Sequence, residues 1–431
     1  MKSNLNREIF SEHFVMIRIP SFLIVMLPIF LVSGSFLTDL AVSTCTILFL
    51  INTYKNKLFK YYKNKLFLIL IFFNLICVLS SLVSDEIFFS LKTTIFYFRF
   101  LIFSLCVWYI LENNTKILKQ IFYSFCFIFF SLFIDSLYQY YFGENILGYE
   151  LVKNRVSSLF GDELVMGSYI ARILPLFLAI SYYIIDGKLI KKYNLYLINF
   201  IFIACSILIL IAGERTAFFL FLLSILFIFV LNLKKFKSII ISISVILPLF
   251  IFFNPESVER IYNGTIKQVF NYKIKSNEIK IIQLKKSLKE IKLFSQVHED
   301  HYLVSYKIFR DNKLLGSGPK TFRILCKEPK YYVSKFACSA HPHGTYFQLL
   351  AETGIIGISI IIFLFFYLIW YSTKKIFKSS NSMFEVCLLS SFLITLWPII
   401  PAGNFFNNWI STIYYFPIGF FMWHRNLKQK E

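Results

Sequence analysis

The sequence has 431 residues, 57% of them hydrophobic, with 53 Phe and a mean hydropathy of +0.65. A chain this apolar does not fold as a soluble domain of that size, so the expected class is an all-α, polytopic membrane protein. The net charge of +21 does not point to nucleic acid, because the lysines are scattered among short connections where membrane insertion and anionic lipid account for them.

In chain order, apolar runs long enough to span hydrocarbon lie near Phe22 to Leu37, Leu40 to Ile51, Leu66 to Val83, Thr93 to Leu111, Ile117 to Leu137 and Ser168 to Ile185. Six more follow, near Leu195 to Ala212, Thr216 to Leu231, Ile239 to Phe253, Ile355 to Tyr371, Glu385 to Ile400 and Trp409 to Trp423. About twelve transmembrane helices are therefore expected, of which Leu40 to Ile51 and Ile239 to Phe253 are short for a bilayer. Lys55 to Lys65, Lys116 and Lys119, Lys188 to Lys192, Lys234 to Lys237, Lys374 to Lys378 and Arg425 to Lys430 fall in every second connection. The positive-inside rule then puts both termini in the cytoplasm. No small-residue cleavage pattern follows the first run, which reads as an uncleaved anchor.

This parity leaves Phe142 to Gly167, the tight turn Gly213-Glu-Arg-Thr216 and a connection of about a hundred residues, Asn254 to Thr353, on the non-cytoplasmic face. The chain divides accordingly into an N-terminal bundle of about nine spans at 1–253, a large loop at 254–354 and about three C-terminal spans at 355–431. Long loops cross the membrane largely regardless of charge, and one of this length needs a reason to exist. Within it, Ile281, Leu284, Leu288 and Ile291 recur at helical spacing among lysines, which predicts a basic amphipathic helix.

Six cysteines sit in or beside apolar runs, while Cys326 and Cys338 share the large loop. Two readings stand open for that pair. One is a disulfide, and the other is a zinc site drawing on Cys338, His341 and His343 with His298 and His301; the Cys-x2-His-x-His spacing matches no common structural zinc pattern. Charge inside the apolar runs falls at Arg99, Asp135 and Arg172, and such groups must face the bundle interior or water. Arg99 and Asp135 form a candidate structural pair. Arg155, Arg172 and Arg215 concentrate guanidinium near the outer leaflet, and guanidinium forks suit phosphate.

The densest chemistry is His341-Pro-His343-Gly-Thr-Tyr-Phe-Gln-Leu-Leu-Ala-Glu352-Thr-Gly354-Ile-Ile-Gly357, which places imidazoles at a membrane edge. Glu352 reads as a partner of a histidine or as a helix-start carboxylate. Tyr346 and Gln348 are candidates for contact with a sugar, although their spacing puts them on different faces of a helix. Gly316 and Gly318 read as turn residues, since no strand-helix-strand unit surrounds them to make a nucleotide site.

Three elements in order, Arg155-Val-Ser-Ser-Leu-Phe-Gly-Asp162 through Gly167-Ser-Tyr, Gly213-Glu-Arg215-Thr, and Leu315-Gly-Ser-Gly318-Pro-Lys-Thr-Phe322-Arg323 followed by the histidine stretch, resemble the O-antigen ligase and polymerase superfamily of bacterial inner membranes. The signature of that superfamily, a histidine, then usually Asn, Ser or Gln, then nine residues, Gly, two residues and a small or polar residue, is filled here by His343, Gly344, Gly354 and Gly357. Gly344 departs from it, and His301 stands where a loop arginine of the family aligns.

The resemblance implies transfer of a glycan from an undecaprenyl-diphosphate-linked donor to a hydroxyl of lipid A core or of another glycan, at the periplasmic face, with no metal and no cofactor. It implies His343 as the base that takes the acceptor proton, and Arg215 with Arg155, Arg172 or Arg323 as the groups that neutralise the leaving diphosphate. His341, His301, Glu352, Gly316 and Gly318 are implied as supporting residues. Ligation of O-antigen to lipid A core is the first expectation; polymerisation of repeat units and transport of the lipid-linked glycan are the alternatives.

Overall fold

The computed structural model describes residues 14–152, 155–187, 194–232, 248, 294–376, 382–398 and 400–430. Among them the secondary structure is helical, apart from isolated bridges pairing Glu144 with Glu150 and Val152 with Arg155. In chain order the helices are α1 (Val15–Ser33), α2 (Ser35–Asn56), α3 (Lys65–Leu82), α4 (Ile87–Thr94), α5 (Phe98–Asn113), α6 (Ile117–Phe142), α7 (Met166–Asp186), α8 (Asn194–Ile211) and α9 (Arg215–Leu231). They continue with α10 (Gln296–Asp311), α11 (Phe322–Leu325), α12 (Thr345–Ile376), α13 (Met383–Leu396) and α14 (Asn408–Lys430).

Eight helical stretches among the described residues are long and apolar enough to cross a membrane: α1, α2, α3, the α4–α5 pair over Ile87–Asn113, α6, α7, α8 and α12. The protein is a multi-pass membrane protein. Helices α9 and α13 are apolar but shorter. The run at Leu40 to Ile51 lies in a 22-residue helix, α2, because Ser, Thr and Asn extend the helix beyond its apolar centre at both ends. The run at Ile239 to Phe253, apart from position 248, and the basic helix over Ile281 to Ile291 lie outside the described residues.

Small and hydroxylic residues bring the helices together, as expected where lipid removes the hydrophobic incentive for helix association. Ser104 Oγ on α5 donates to the Tyr415 carbonyl on α14 at 2.8 Å, and a Cβ at Gly419 would stand 2.6 Å from the Ser104 carbonyl oxygen. Ser224 on α9 meets Ser390 on α13 at 2.8 Å. Thr46 Oγ1 on α2 donates to the Arg99 carbonyl at 2.9 Å.

Arg99 and Asp135 do not pair with each other. Arg99 Nη2 meets Asp39 Oδ1 at 2.5 Å, which ties α5 to α2. Asp135 on α6, fully buried, accepts from Ser158 Oγ at 2.6 Å and from the Ile146 N–H at 3.0 Å. It anchors the connection between α6 and α7, a role that sequence distance hides.

A second, smaller core lies outside the bundle. Val304 and Ile308 of α10 pack with Phe322, Leu325, Cys326, Tyr331, Ala337 and Ala351. Cys326 and Cys338 form a disulfide with a Cα–Cα distance of 5.2 Å, so the disulfide reading of that pair is the one realised. It closes the segment that leads into His341.

Helix α12 is broken at Gly354, whose φ of 62° and ψ of −167° are non-helical. The break exposes backbone groups that the 313–318 loop takes up: Ser317 N–H donates to the Ala351 carbonyl at 2.9 Å, Gly318 N–H to Glu352 at 3.0 Å, and Ile355 N–H to Lys313 at 2.9 Å. Backbone lies directly on backbone here. A Cβ at Gly354 would sit 2.3 Å from the Leu314 carbonyl oxygen, and one at Gly316 2.5 Å from Glu352 C. Gly318 is pressed against Ser84 and Ser90 beside α4, so the same loop ties α12 to the bundle. Ser80 Oγ on α3 completes the joint by donating to the Glu352 carbonyl at 2.6 Å.

Candidate functional site

Helices α7 and α9, the turn before α12 and the 401–410 segment enclose a cleft of about 400 Å³. Its walls carry Arg155, Arg172, Arg215, His341 and His343, together with Ser168, Glu214 and the indole of Trp409. Five of the residues selected in the sequence, drawn from positions 155 to 343, therefore share one space.

The guanidinium side is built on the Gly213–Thr216 turn. Gly213, at φ 63°, ends the approach from α8, and α9 begins at Arg215, so Arg215 stands at a helix N-terminus where free N–H groups also favour an anion. Arg155 Nε donates to the Ala212 carbonyl at 2.9 Å, and its Nη2 lies 3.9 Å from Glu214 Oε1. Arg172, buried on α7, donates to the Ser168 carbonyl at 3.2 Å. Glu214 is the only carboxylate in the cleft wall among the described residues. It accepts from Ser168 Oγ at 2.5 Å and from the Gly167 N–H at 2.9 Å, and a Cβ at Gly167 would come within 3.0 Å of it. Burial pushes the Glu214 carboxyl up from its ordinary value, against the opposing pull of Ser168 and Arg155.

The second group of the cleft is built on imidazoles. His341 and His343 have ring centroids 4.1 Å apart; His301 on α10 stacks on His343 at 5.4 Å, and His298 approaches it edge-on at 5.8 Å. Burial lowers His343 to about 4, helped by repulsion from His301 and His298. Burial and then His343 lower His341 to about 3. Both rings are thus neutral near pH 7, the form that can accept a proton. The His343 backbone is in the left-handed region, φ 54°, a conformation a non-glycine residue keeps only where its surroundings enforce it. Its carbonyl accepts from the Ala402 N–H at 3.0 Å and the Tyr302 hydroxyl at 3.4 Å.

Residues 200–362 match the model of the O-antigen ligase family. That segment carries α9 with Arg215, the α10 histidines and the turn with His341 and His343. The match places that segment, under half of the chain, in the O-antigen ligase superfamily. No curated protein matches the chain.

Within this O-antigen ligase segment the other sequence-selected residues lie away from the cleft. Arg323, on α11, is not in the cleft wall, although its charge is close enough to help hold His341 down. His301 is 2% exposed and stands behind His343. Glu352 is neither a histidine partner nor a helix-start carboxylate: it is fully buried well inside α12, accepting from Gln348 Nε2 at 2.9 Å and the Phe322 N–H at 3.3 Å. Gly316 and Gly318 belong to the same joint. Tyr346 donates to the Leu396 carbonyl and Gln348 bonds Asn404, and neither lines the cleft. Glu214, Ser168, Trp409 and Tyr302 were not selected from the sequence. Glu214 and Ser168 could have been, since they lie inside the Gly213–Thr216 turn and the Gly167-Ser-Tyr element; Trp409 and Tyr302 carry no local signal.

Proposed function

We propose that the protein transfers a glycan from an undecaprenyl-diphosphate-linked donor to an acceptor hydroxyl at the periplasmic face of the bacterial inner membrane, and that its reaction is ligation of O-antigen to lipid A core. The observation that carries this reading is the presence, in one cleft, of neutral imidazoles and three arginines. The acceptor oxygen attacks the anomeric carbon as the bond to the diphosphate oxygen breaks. Undecaprenyl diphosphate leaves with the electron pair, and the acceptor proton passes to His343. Attack opposite the leaving group inverts the anomeric centre.

A diphosphate leaving group needs its developing charge neutralised more than it needs a proton, and guanidinium forks supply that without a metal. A hydroxyl is a weak nucleophile at neutral pH, so its proton must be taken as the new bond forms. In this reading the loop at 254–354 supplies the base and the N-terminal bundle at 1–253 supplies Arg155, Arg172 and Arg215. The lysine-rich alternate connections support a reading with cytoplasmic termini and this cleft on the opposite side.

Deleting the gene tests the choice of acceptor. Loss of all polymer from lipid A core supports ligation, whereas retention of single repeats with loss of chain length assigns the same chemistry to polymerisation. A deletion that leaves both unchanged removes the glycan-transfer reading.

The depressed His343 value sets the expected pH dependence. A base must be deprotonated to act, and a lowered pKa keeps it deprotonated to lower pH, so kcat/KM holds down to about pH 5 and falls as pH drops through about 4. An anionic donor beside the ring favours its charged form, so the acid limb of kcat should lie higher than that of kcat/KM. Rates in proteoliposomes across pH 3.5 to 8 would check both limbs. A kcat/KM limb near 6.5, the value of an unperturbed imidazole, would contradict the burial argument.

A further inference from the structure

Gly344 follows His343, and its φ is not in the positive range that makes glycine necessary elsewhere in this chain. Space is what excludes a side chain. A Cβ at position 344 would lie 2.8 Å from Tyr302 Cε1 and 3.2 Å from Tyr302 Cζ and Oη. Tyr302, 7% exposed on α10, lies flat on Phe347 with ring centroids 4.0 Å apart and planes 7° from parallel. Its hydroxyl reaches the His343 carbonyl at 3.4 Å. One ring therefore fills the room beside position 344, presses on the first turn of α12 and bonds the backbone of a residue held at φ 54°.

We propose that Tyr302 is the positioning residue of His343, and that Gly344 is glycine to admit the Tyr302 ring. The proposal rests on the reading of His343 as the base, but its structural half stands separately. Tyr302 touches no reacting atom; it acts through the turn. The partners of that turn come from two directions, with Tyr302 and the His298 and His301 rings on the α10 side and the Ala402 N–H on the other. Burial raises the Tyr302 phenol to about 12, so its hydroxyl remains a donor throughout the working range.

A double-mutant cycle tests this. With Tyr302 present, Gly344→Ala should lower kcat about 10- to 100-fold with KM within about twofold, the loss expected when a base moves by about 1 Å. In the Tyr302→Ala background the same change should cost about twofold or less, because the clash has gone. Tyr302→Phe keeps the ring, so Gly344→Ala should remain damaging there, which guards against Tyr302→Ala merely failing to fold.

A second readout does not depend on turnover: the rate at which diethyl pyrocarbonate modifies His343, followed by peptide mass spectrometry, should rise severalfold in Tyr302→Ala over the unmodified protein. Additive losses in the cycle, or unchanged His343 modification, overturn the proposal. Should His343→Ala retain full transfer, the catalytic reading fails, while the modification rates still decide whether Tyr302 holds the turn.

Discussion

His343→Ala is expected to reduce glycan transfer about 10²- to 10⁴-fold, the contribution typical of a positioned base, while leaving the fold intact. The ring forms no hydrogen bond with another described residue, so its removal orphans no partner among them. The bonds that shape the turn run through the His343 carbonyl, from the Ala402 N–H and the Tyr302 hydroxyl, and survive truncation of the side chain. Loss should therefore appear in kcat, with the melting temperature in detergent little changed. Initial rates with undecaprenyl-diphosphate-linked glycan in proteoliposomes, beside a thermal melt, separate the two. Full transfer by the variant would rule out His343 as the base.

The largest effect on stability is expected from Gly354→Ala. Alanine at φ 62° carries backbone strain of roughly 1–3 kcal/mol, and forcing its Cβ to within 2.3 Å of the Leu314 carbonyl oxygen adds a further cost of about 1–3 kcal/mol as the joint opens. That oxygen is backbone and cannot rotate away. Loosening the joint frees both halves of α12 from the 313–318 loop, and with them the turn that carries His343. A lower melting temperature and faster proteolysis between residues 294 and 344 should accompany the loss of transfer. Gly403→Ala is the contrasting control, because the Cβ there would meet only the flexible end of Ile410. Equal melting temperatures for Gly354→Ala and the parent protein would show that the joint is not rigid.

Much of the bundle was legible from composition alone, since most of the apolar runs fall largely on helices among the described residues. Legibility failed where polar groups satisfy each other across the chain. Arg99 looks for a carboxylate inside the apolar runs, and Asp135 is the obvious one, yet its partner is Asp39, at the start of α2. Glu352 lies among residues that suggest histidine chemistry, but its bonds go to Gln348 and to the α11 backbone. Gly316, Gly318 and Gly354 are recognisable as special residues; that they form one joint becomes visible only when the Cβ positions are built.

The sequence by itself determined the membrane class, the position of most spans and the chemical groups available for transfer, because hydrophobic length and side-chain type are local properties. Tertiary structure alone decided which groups share a space. It put Arg155, Arg172 and Arg215 in one cleft with His341 and His343, left Glu352 and Arg323 out of the cleft wall, and set Tyr302 where a side chain at position 344 would stand. The physical reason is that these contacts join segments tens to hundreds of residues apart, and close packing, unlike hydrophobic periodicity, leaves no trace in spacing along the chain.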